Sequence, residues 1–163
     1  KQKDFNFLCK ATKDIVKKNK DLKILIAGVG EEKNQLIRYV NNNNLQKNII
    51  FLNFVDNIYP YFFHARAFIL TSLWEDPGFV LIEAAFSRTL VLSNDSEPGP
   101  KDIIKDSYNG IVYKKKNIDS FKEKFDQVLK NKNRKTLIYN NLKNVRKFTI
   151  FNHFKSFNSI LLN

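Results

Sequence analysis

Two apolar runs flank a Pro-Gly break in the stretch Thr71-Ser72-Leu73-Trp74-Glu75-Asp76-Pro77-Gly78-Phe79-Val80-Leu81-Ile82-Glu83-Ala84. The first run, 67–71, predicts a buried parallel strand, and the second, 79–86, predicts a helix. A strand, a tight turn and a helix N-terminus form an anion site, because the first helical N–H groups lack intrahelical partners and the helix dipole favours negative charge. Glu75 would lie in the turn and Glu83 in the second helical turn. Two carboxylates beside an anion site suit a ligand that is phosphorylated and rich in hydroxyls, such as a nucleotide sugar.

Strands and helices alternate on both sides of this stretch. Further strands are predicted at 23–27, 49–52, 90–93 and 111–113, and further helices at 5–19, 31–42, 57–65 and after Pro100. Such alternation implies a parallel sheet with helices on both faces, so we predict an α/β, Rossmann-like fold. Three helices end the chain, with the apolar anchors Phe121, Phe125, Val128, Leu137, Leu142, Val145, Ile150, Phe154, Phe157 and Leu161. Ser120 and Glu123 have the spacing of a capping box.

Length and composition predict a single domain over residues 1–163, with 43% hydrophobic residues for its core. No apolar run reaches the roughly 18 residues that a membrane-spanning helix needs. The single cysteine, Cys9, cannot form an internal disulfide, which suits a cytosolic setting. It lies on the apolar stripe of the first helix, so we expect it to pack in the core rather than to react.

The net charge of +12 is concentrated in a basic tail, residues 114–163, which holds 13 Lys and Arg against 3 Asp and Glu. Such a tail can bind nucleic acid or the anionic face of a membrane. It can also reflect a genome rich in lysine and asparagine codons, which the run Asn41–Asn44 favours. Nucleic-acid binding is disfavoured because no Arg-Gly or aromatic-interleaved motif is present.

The two glutamates also carry a family resemblance. Glu75, Glu83 and the following Ala84 resemble the E-x7-E signature of glycosyltransferase family 4, retaining enzymes of the GT-B fold. Five other segments resemble the family in the same order, at 23–30, 49–55, 90–94, 99–104 and 109–113. GT-B enzymes have two Rossmann-like domains, of which the first mainly holds the acceptor and the second the donor. The resemblance implies that this chain is the second, C-terminal half.

We therefore expect the chain to be a fragment of a longer enzyme. It contains no methionine, and its residues 1–5 resemble an internal segment of these enzymes. The donor would be a UDP- or GDP-sugar, and a glycan or lipid-linked acceptor would be held by the missing N-terminal domain. The resemblance implies a cytoplasmic enzyme of cell-envelope polysaccharide biosynthesis, free or peripheral to the inner membrane. In the family, the final helix packs back against the first domain.

The resemblance assigns a role to each matching residue. Lys3 would offset the charge on the leaving diphosphate, and Glu75 would position the transferred sugar. Glu83 would accept hydrogen bonds from the ribose hydroxyls. The N–H groups of Gly78, Phe79 and Val80 would contact the diphosphate and the sugar. Asn53 and Val55 would hold the base, and Gly99 would shape the loop beside the phosphates.

Other assignments of these residues stay open at the level of sequence. Glu75 or Asp76 could cap the helix, and Glu83 could be a solvated helix glutamate. Gly28 and Gly30 lack the full dinucleotide spacing and predict a tight turn. Asp76-Pro77-Gly78 departs from the family pattern, which leaves the sugar open, and Asn53 stands where glycine is usual.

No metal or cofactor is predicted. The two histidines have no metal-ligand spacing, and no D-x-D motif occurs. Two other functions are retained as alternatives, a non-catalytic nucleotide-binding module and a basic-tail binder of anionic membranes or nucleic acid. A glycosidase is disfavoured, because its two carboxylates must face each other across a cleft.

Overall fold

The computed structural model describes residues 1–161, apart from the side chains of His153, Ser156, Ile160 and Leu161. Strands and helices alternate up to residue 113, and only helices follow. In chain order the elements are α1 (Phe5–Ile15), β1 (Ile24–Ala27), α2 (Lys33–Asn42), β2 (Ile49–Leu52), α3 (Tyr59–His64), β3 (Phe68–Leu70), α4 (Phe79–Phe86), β4 (Val91–Asn94), α5 (Pro100–Ile103), β5 (Ile111–Tyr113), α6 (Ile118–Lys130), α7 (Arg134–Val145), a 3-10 turn (Arg146–Phe148) and α8 (Ile150–Leu161).

The five strands form two hydrogen-bonded sheets, and every pair of neighbouring strands is parallel. β1 pairs with β2, so that Ile24 lies opposite Ile49. β4 pairs with both β3 and β5. The start of the chain lies beside the end of β3, because the Leu73 N–H donates to the Gln2 carbonyl at 2.8 Å. The chain thus runs from β1 to β2 in one sheet and from β3 to β5 in the other. Open α/β sheets bind ligands at the carboxyl ends of their strands.

The core lies on both faces of the strands. Leu92 of β4 packs into one apolar cluster with residues of α1, α2 and α6. Its neighbour Val91 packs into a second cluster with residues of α3, α4 and α7. Alternate residues of a strand face opposite sides of a sheet. The predicted α/β architecture, with helices on both faces, is therefore confirmed.

The structure corrects some local predictions. α1 ends at Ile15 rather than Asn19, because its apolar stripe stops at Val16 and turns follow. Glu123 does not take part in a capping box at α6. The N-cap is Asn117, whose Oδ1 accepts from the Ser120 N–H at 2.8 Å.

The prediction that α8 buries an apolar stripe is wrong for the side chains that the structure describes. Ile150, Phe154 and Phe157 are 81%, 62% and 52% exposed. α8 contacts mainly the 3-10 turn before it, so no described element covers this face. The remaining predicted anchor of α8, Leu161, lies outside the described side chains. Within residues 1–161, every helix is too short or too polar to cross a lipid bilayer.

Candidate functional site

Lys3 and Glu75 form an ion pair at the carboxyl ends of the strands. Lys3 Nζ donates to Glu75 Oε1 at 2.6 Å. Glu75 is 6% exposed, whereas the Lys3 side chain is 48% exposed. An ammonium group carries three N–H donors, so Lys3 retains donors toward solvent while it holds the buried carboxylate.

Hydrogen bonds to the segment after β3 fix the position of Lys3. Thr71 Oγ1 donates to the Lys3 carbonyl at 2.6 Å. Gln2 Nε2 donates to the Trp74 carbonyl at 3.0 Å. Asp4 then caps α1, since its Oδ1 accepts from the Phe7 N–H at 3.3 Å. The start of α1 and the turn that carries Glu75 are thereby joined.

The N-terminus of α4 is open. Gly78 is its N-cap, with φ of 91°, and no side chain caps the helix. Neither Glu75 nor Asp76 therefore serves as the cap. The first N–H groups of a helix lack intrahelical acceptors, so those of Phe79 and Val80 can bind an anion. The positive φ favours glycine at this position, and a Cβ there would lie 3.3 Å from Glu75 Cβ.

Glu83 lies in the second turn of α4 and is half-buried. Its neighbours Ile82 and Ala84 are buried. The carboxylate of Glu83 has no hydrogen-bond or ion-pair partner among the described residues. A partly desolvated carboxylate without a partner is available to accept hydrogen bonds from a ligand.

The loop after β4 packs directly on the backbone of Glu75. The Glu75 N–H donates to the Pro98 carbonyl at 3.3 Å. Gly99 has φ of 98°, and a Cβ there would lie 2.6 Å from the Glu75 carbonyl oxygen. Gly99 therefore allows the close approach of two loops.

Sequence reasoning missed two polar residues of this region, Asn94 and Ser96. Asn94 ends β4 and is 2% exposed, and its Nδ2 donates to the Ser72 carbonyl at 2.8 Å. Ser96 Oγ donates to the same carbonyl at 3.3 Å. The only sequence signal was a pair of polar residues, Ser93 and Asn94, at the end of an apolar strand.

A hydroxyl from β5 supports the end of β3. The Tyr113 hydroxyl donates to the Leu70 carbonyl at 3.0 Å. Burial raises the pKa of Tyr113 above its ordinary value, so the hydroxyl stays protonated and remains a donor.

A cavity of about 390 Å³ opens beside Lys3, at the ends of β1 and β2. Lys3, Gly28, Gly30 and Lys33 are among its lining residues, and Glu75 and Glu83 are not. Asn53 links the end of β2 to Gly28 after β1 and to Lys33 of α2. Its carbonyl accepts from the Gly28 N–H at 3.1 Å, and its Oδ1 accepts from Lys33 Nζ.

Val55, after β2, is half-buried. None of the described contacts joins Asn53 or Val55 to Glu75. Within the described part of the chain, no three His, Cys, Asp or Glu side chains cluster as metal ligands would.

Comparison with known proteins identifies the family of this chain. The family described as glycosyl transferases group 1 matches residues 1–145. An uncharacterized glycosyltransferase of Methanocaldococcus jannaschii is 35% identical over 103 residues, which cover 63% of this chain and 25% of that protein. The chain thus spans about a quarter of the length of this relative.

Two solved structures resemble the fold. One is a crystal structure of a mutant of S. aureus TarM in complex with Fondaparinux, alpha-GlcNAc-glycerol and UDP. Its TM-score is 0.89 at 23% identity, and the match covers 98% of this chain and 33% of that chain. The C-terminal domain of a glycosyl transferase group 1 family protein of Francisella tularensis gives a TM-score of 0.79 at 24% identity, and covers 91% of this chain and 81% of that one. The fold is therefore that of the C-terminal domain of GT-B glycosyltransferases.

Proposed function

Since the chain belongs to the glycosyl transferases of group 1, we propose that it is the donor-binding domain of a retaining hexosyltransferase. The donor is a nucleoside diphosphate sugar. UDP is favoured over GDP because UDP is bound in the similar TarM structure. The acceptor is a glycan or lipid-linked glycan held by a domain outside this chain, and the site works at the cytoplasmic face of the membrane.

The contact between Lys3 and Glu75 carries the proposal. Sugar transfer breaks the bond between the anomeric carbon and a diphosphate oxygen. The residue that positions the sugar and the residue that offsets the charge of the leaving diphosphate must therefore lie close together. A carboxylate and an ammonium group 2.6 Å apart meet this requirement. Preorganised charge in a partly buried site stabilises a leaving group more strongly than the same charge in water.

The α4 helix would bind the nucleotide. Its open N-terminus offers the N–H groups of Phe79 and Val80 to the diphosphate, and Gly78 leaves room for the ligand. Glu83 would accept two hydrogen bonds from the ribose diol. Asn53 and Val55 would hold the base at the end of β2. Lys3 and the helix N-terminus then carry the diphosphate charge, and the proposal includes no cofactor.

An NMR titration of the 163-residue chain with UDP, GDP and their sugar conjugates tests this function. UDP should shift the amides of residues 75–83, and Glu83→Ala should weaken UDP binding about tenfold through loss of charged hydrogen bonds. Glu123→Ala is the matched control, because Glu123 is an exposed glutamate on α6. Absence of shifts at 75–83, or equal affinity in the two variants, would exclude the proposed donor site.

A further inference from the structure

The turn that carries Glu75 depends on its neighbours for its position. Residues 71–78 between β3 and α4 belong to no strand or helix. Regular hydrogen bonding within the turn therefore does not fix Glu75. Hydrogen bonds from the start of the chain and from residues 94–99 hold the turn, and Lys115 Nζ also donates to the Leu73 carbonyl at 3.4 Å.

Asn94 provides the deepest of these bonds. Its side chain is fully enclosed at the end of β4. Its Nδ2 donates to the Ser72 carbonyl at 2.8 Å, and its Oδ1 accepts from the Ser96 N–H at 3.1 Å. The Asn94 amide thus links the turn before Glu75 to the loop after β4. Since a buried polar group that loses its partner is costly, this link holds the two loops in one arrangement.

The same loop touches Glu75 itself. Pro98 accepts from the Glu75 N–H at 3.3 Å, and Gly99 leaves no room for a side chain against the Glu75 carbonyl. The backbone of the turn at residues 71–78 is therefore attached to the segment 94–99 at two places, Ser72 and Glu75. A shift of this segment would move the carboxylate that faces Lys3.

We propose that Asn94 is a positioning residue that sets Glu75 for recognition of the donor sugar. The inference rests on the proposed function, in which Glu75 contacts the sugar and the α4 residues contact the nucleotide. Asn94 is bonded to the turn but not to α4. Its loss should therefore weaken the contribution of the sugar to binding and leave the contribution of UDP in place.

The test compares two buried asparagines. Asn109 is 1% exposed, and its Nδ2 donates to the Ile103 carbonyl at 2.9 Å, away from Glu75. Affinities for UDP, UDP-glucose and UDP-N-acetylglucosamine are measured for the wild-type chain, Asn94→Ala and Asn109→Ala. The readout is the ratio of the UDP dissociation constant to that of each UDP-sugar, together with the thermal midpoint of each variant.

Asn94→Ala should lower this ratio about tenfold, as expected for the loss of charged hydrogen bonds to the sugar, with the UDP affinity within about twofold. Asn109→Ala should lower the thermal midpoint about as much as Asn94→Ala does, and it should leave the ratio of dissociation constants at its wild-type value. The emission of Trp74, the only tryptophan, should shift in Asn94→Ala alone. An equal ratio in both asparagine variants would overturn the inference.

Two more variants separate the possible failures. Glu75→Gln should lower the ratio of the UDP dissociation constant to that of each UDP-sugar, as Asn94→Ala does. If Glu75→Gln leaves the ratio unchanged, the proposed role of Glu75 in sugar binding is wrong. If only Asn94→Ala leaves it unchanged, the positioning role alone is wrong. Should Asn94→Ala fail to fold, Ser96→Ala decides, because it removes only the 3.3 Å bond to the Ser72 carbonyl. A smaller fall in the ratio supports the inference, and an unchanged ratio overturns it.

Discussion

A methyl group added at Gly99 should destabilise the protein far more than one added at Gly28. Both glycines have positive φ, 98° and 116°, so alanine at either position adopts a strained backbone that costs about 1–2 kcal/mol. The two positions differ in their surroundings. A Cβ at Gly28 meets nothing within 4 Å, whereas at Gly99 it would lie 2.6 Å from the Glu75 carbonyl oxygen and 3.0 Å from that of Pro77.

Both atoms near Gly99 belong to the backbone, so the clash can be relieved only if the two loops move apart. Such overpacking adds about 1–3 kcal/mol. Gly99→Ala should therefore be about 2 kcal/mol less stable than Gly28→Ala. For a chain of this length, that difference lowers the thermal midpoint by roughly 4–8 °C.

The assay is urea and thermal unfolding of wild type, Gly99→Ala, Gly28→Ala and Gly30→Ala, followed by circular dichroism. Gly30 has no positive φ and has open space around its Cβ position. Gly30→Ala should therefore match the wild type or exceed its stability by about 0.4–1 kcal/mol. If Gly99→Ala and Gly28→Ala are equally stable, the close approach of the two loops does not constrain the fold, and the loop at 98–99 does not hold Glu75 in place.

Three other variants test further parts of the structure. Burial raises the pKa of Cys9 from 9.0 to about 11, so the thiol of the unfolded chain ionises first and wild-type stability should fall as pH rises from 9 toward 11. Cys9→Ala should remove this fall, measured as the difference in urea midpoints between wild type and variant at each pH. Equal pH profiles for the two proteins would contradict this. Phe154→Ala should change the free energy of unfolding by less than about 0.5 kcal/mol, because its side chain is 62% exposed. Phe121→Ala, at a fully buried position, should lower the free energy of unfolding by about 3–5 kcal/mol. Similar losses for the two variants in urea unfolding would show that α8 packs on the core. Lys3→Gln should weaken binding of UDP more than binding of uridine in calorimetry, because the lost charge faces the diphosphate; equal losses for both ligands would place Lys3 away from it.

Most of the fold could be predicted from the sequence. Helix α4 begins at Phe79 and ends at Phe86 as its apolar run and the Pro-Gly break predict. The strands β2 and β5 also have the predicted bounds. These elements were predictable because a buried strand or helix leaves a periodic pattern of apolar residues in the chain itself.

The structure brings some of the predicted site residues together and leaves others apart. Lys3 and Glu75 meet, and Glu83 stands in the second turn of α4 as the spacing requires. The roles of these residues and of the 78–80 turn remain proposals. Asn53 and Val55 lie at the end of β2 without a described contact to Glu75, because that strand belongs to the other sheet.

Local pattern by itself determined the order of strands and helices, the turn between the two glutamates and the resemblance to a sugar-transferring family. Only the tertiary structure decided that Lys3 reaches Glu75 across 72 positions, and that Asn94 braces the turn before Glu75. It also decided that the strands form two sheets and that Ile150, Phe154 and Phe157 of α8 are exposed. The physical reason is that periodicity reports the burial of each segment, whereas a bond between two loops depends on where the packed strands bring their ends.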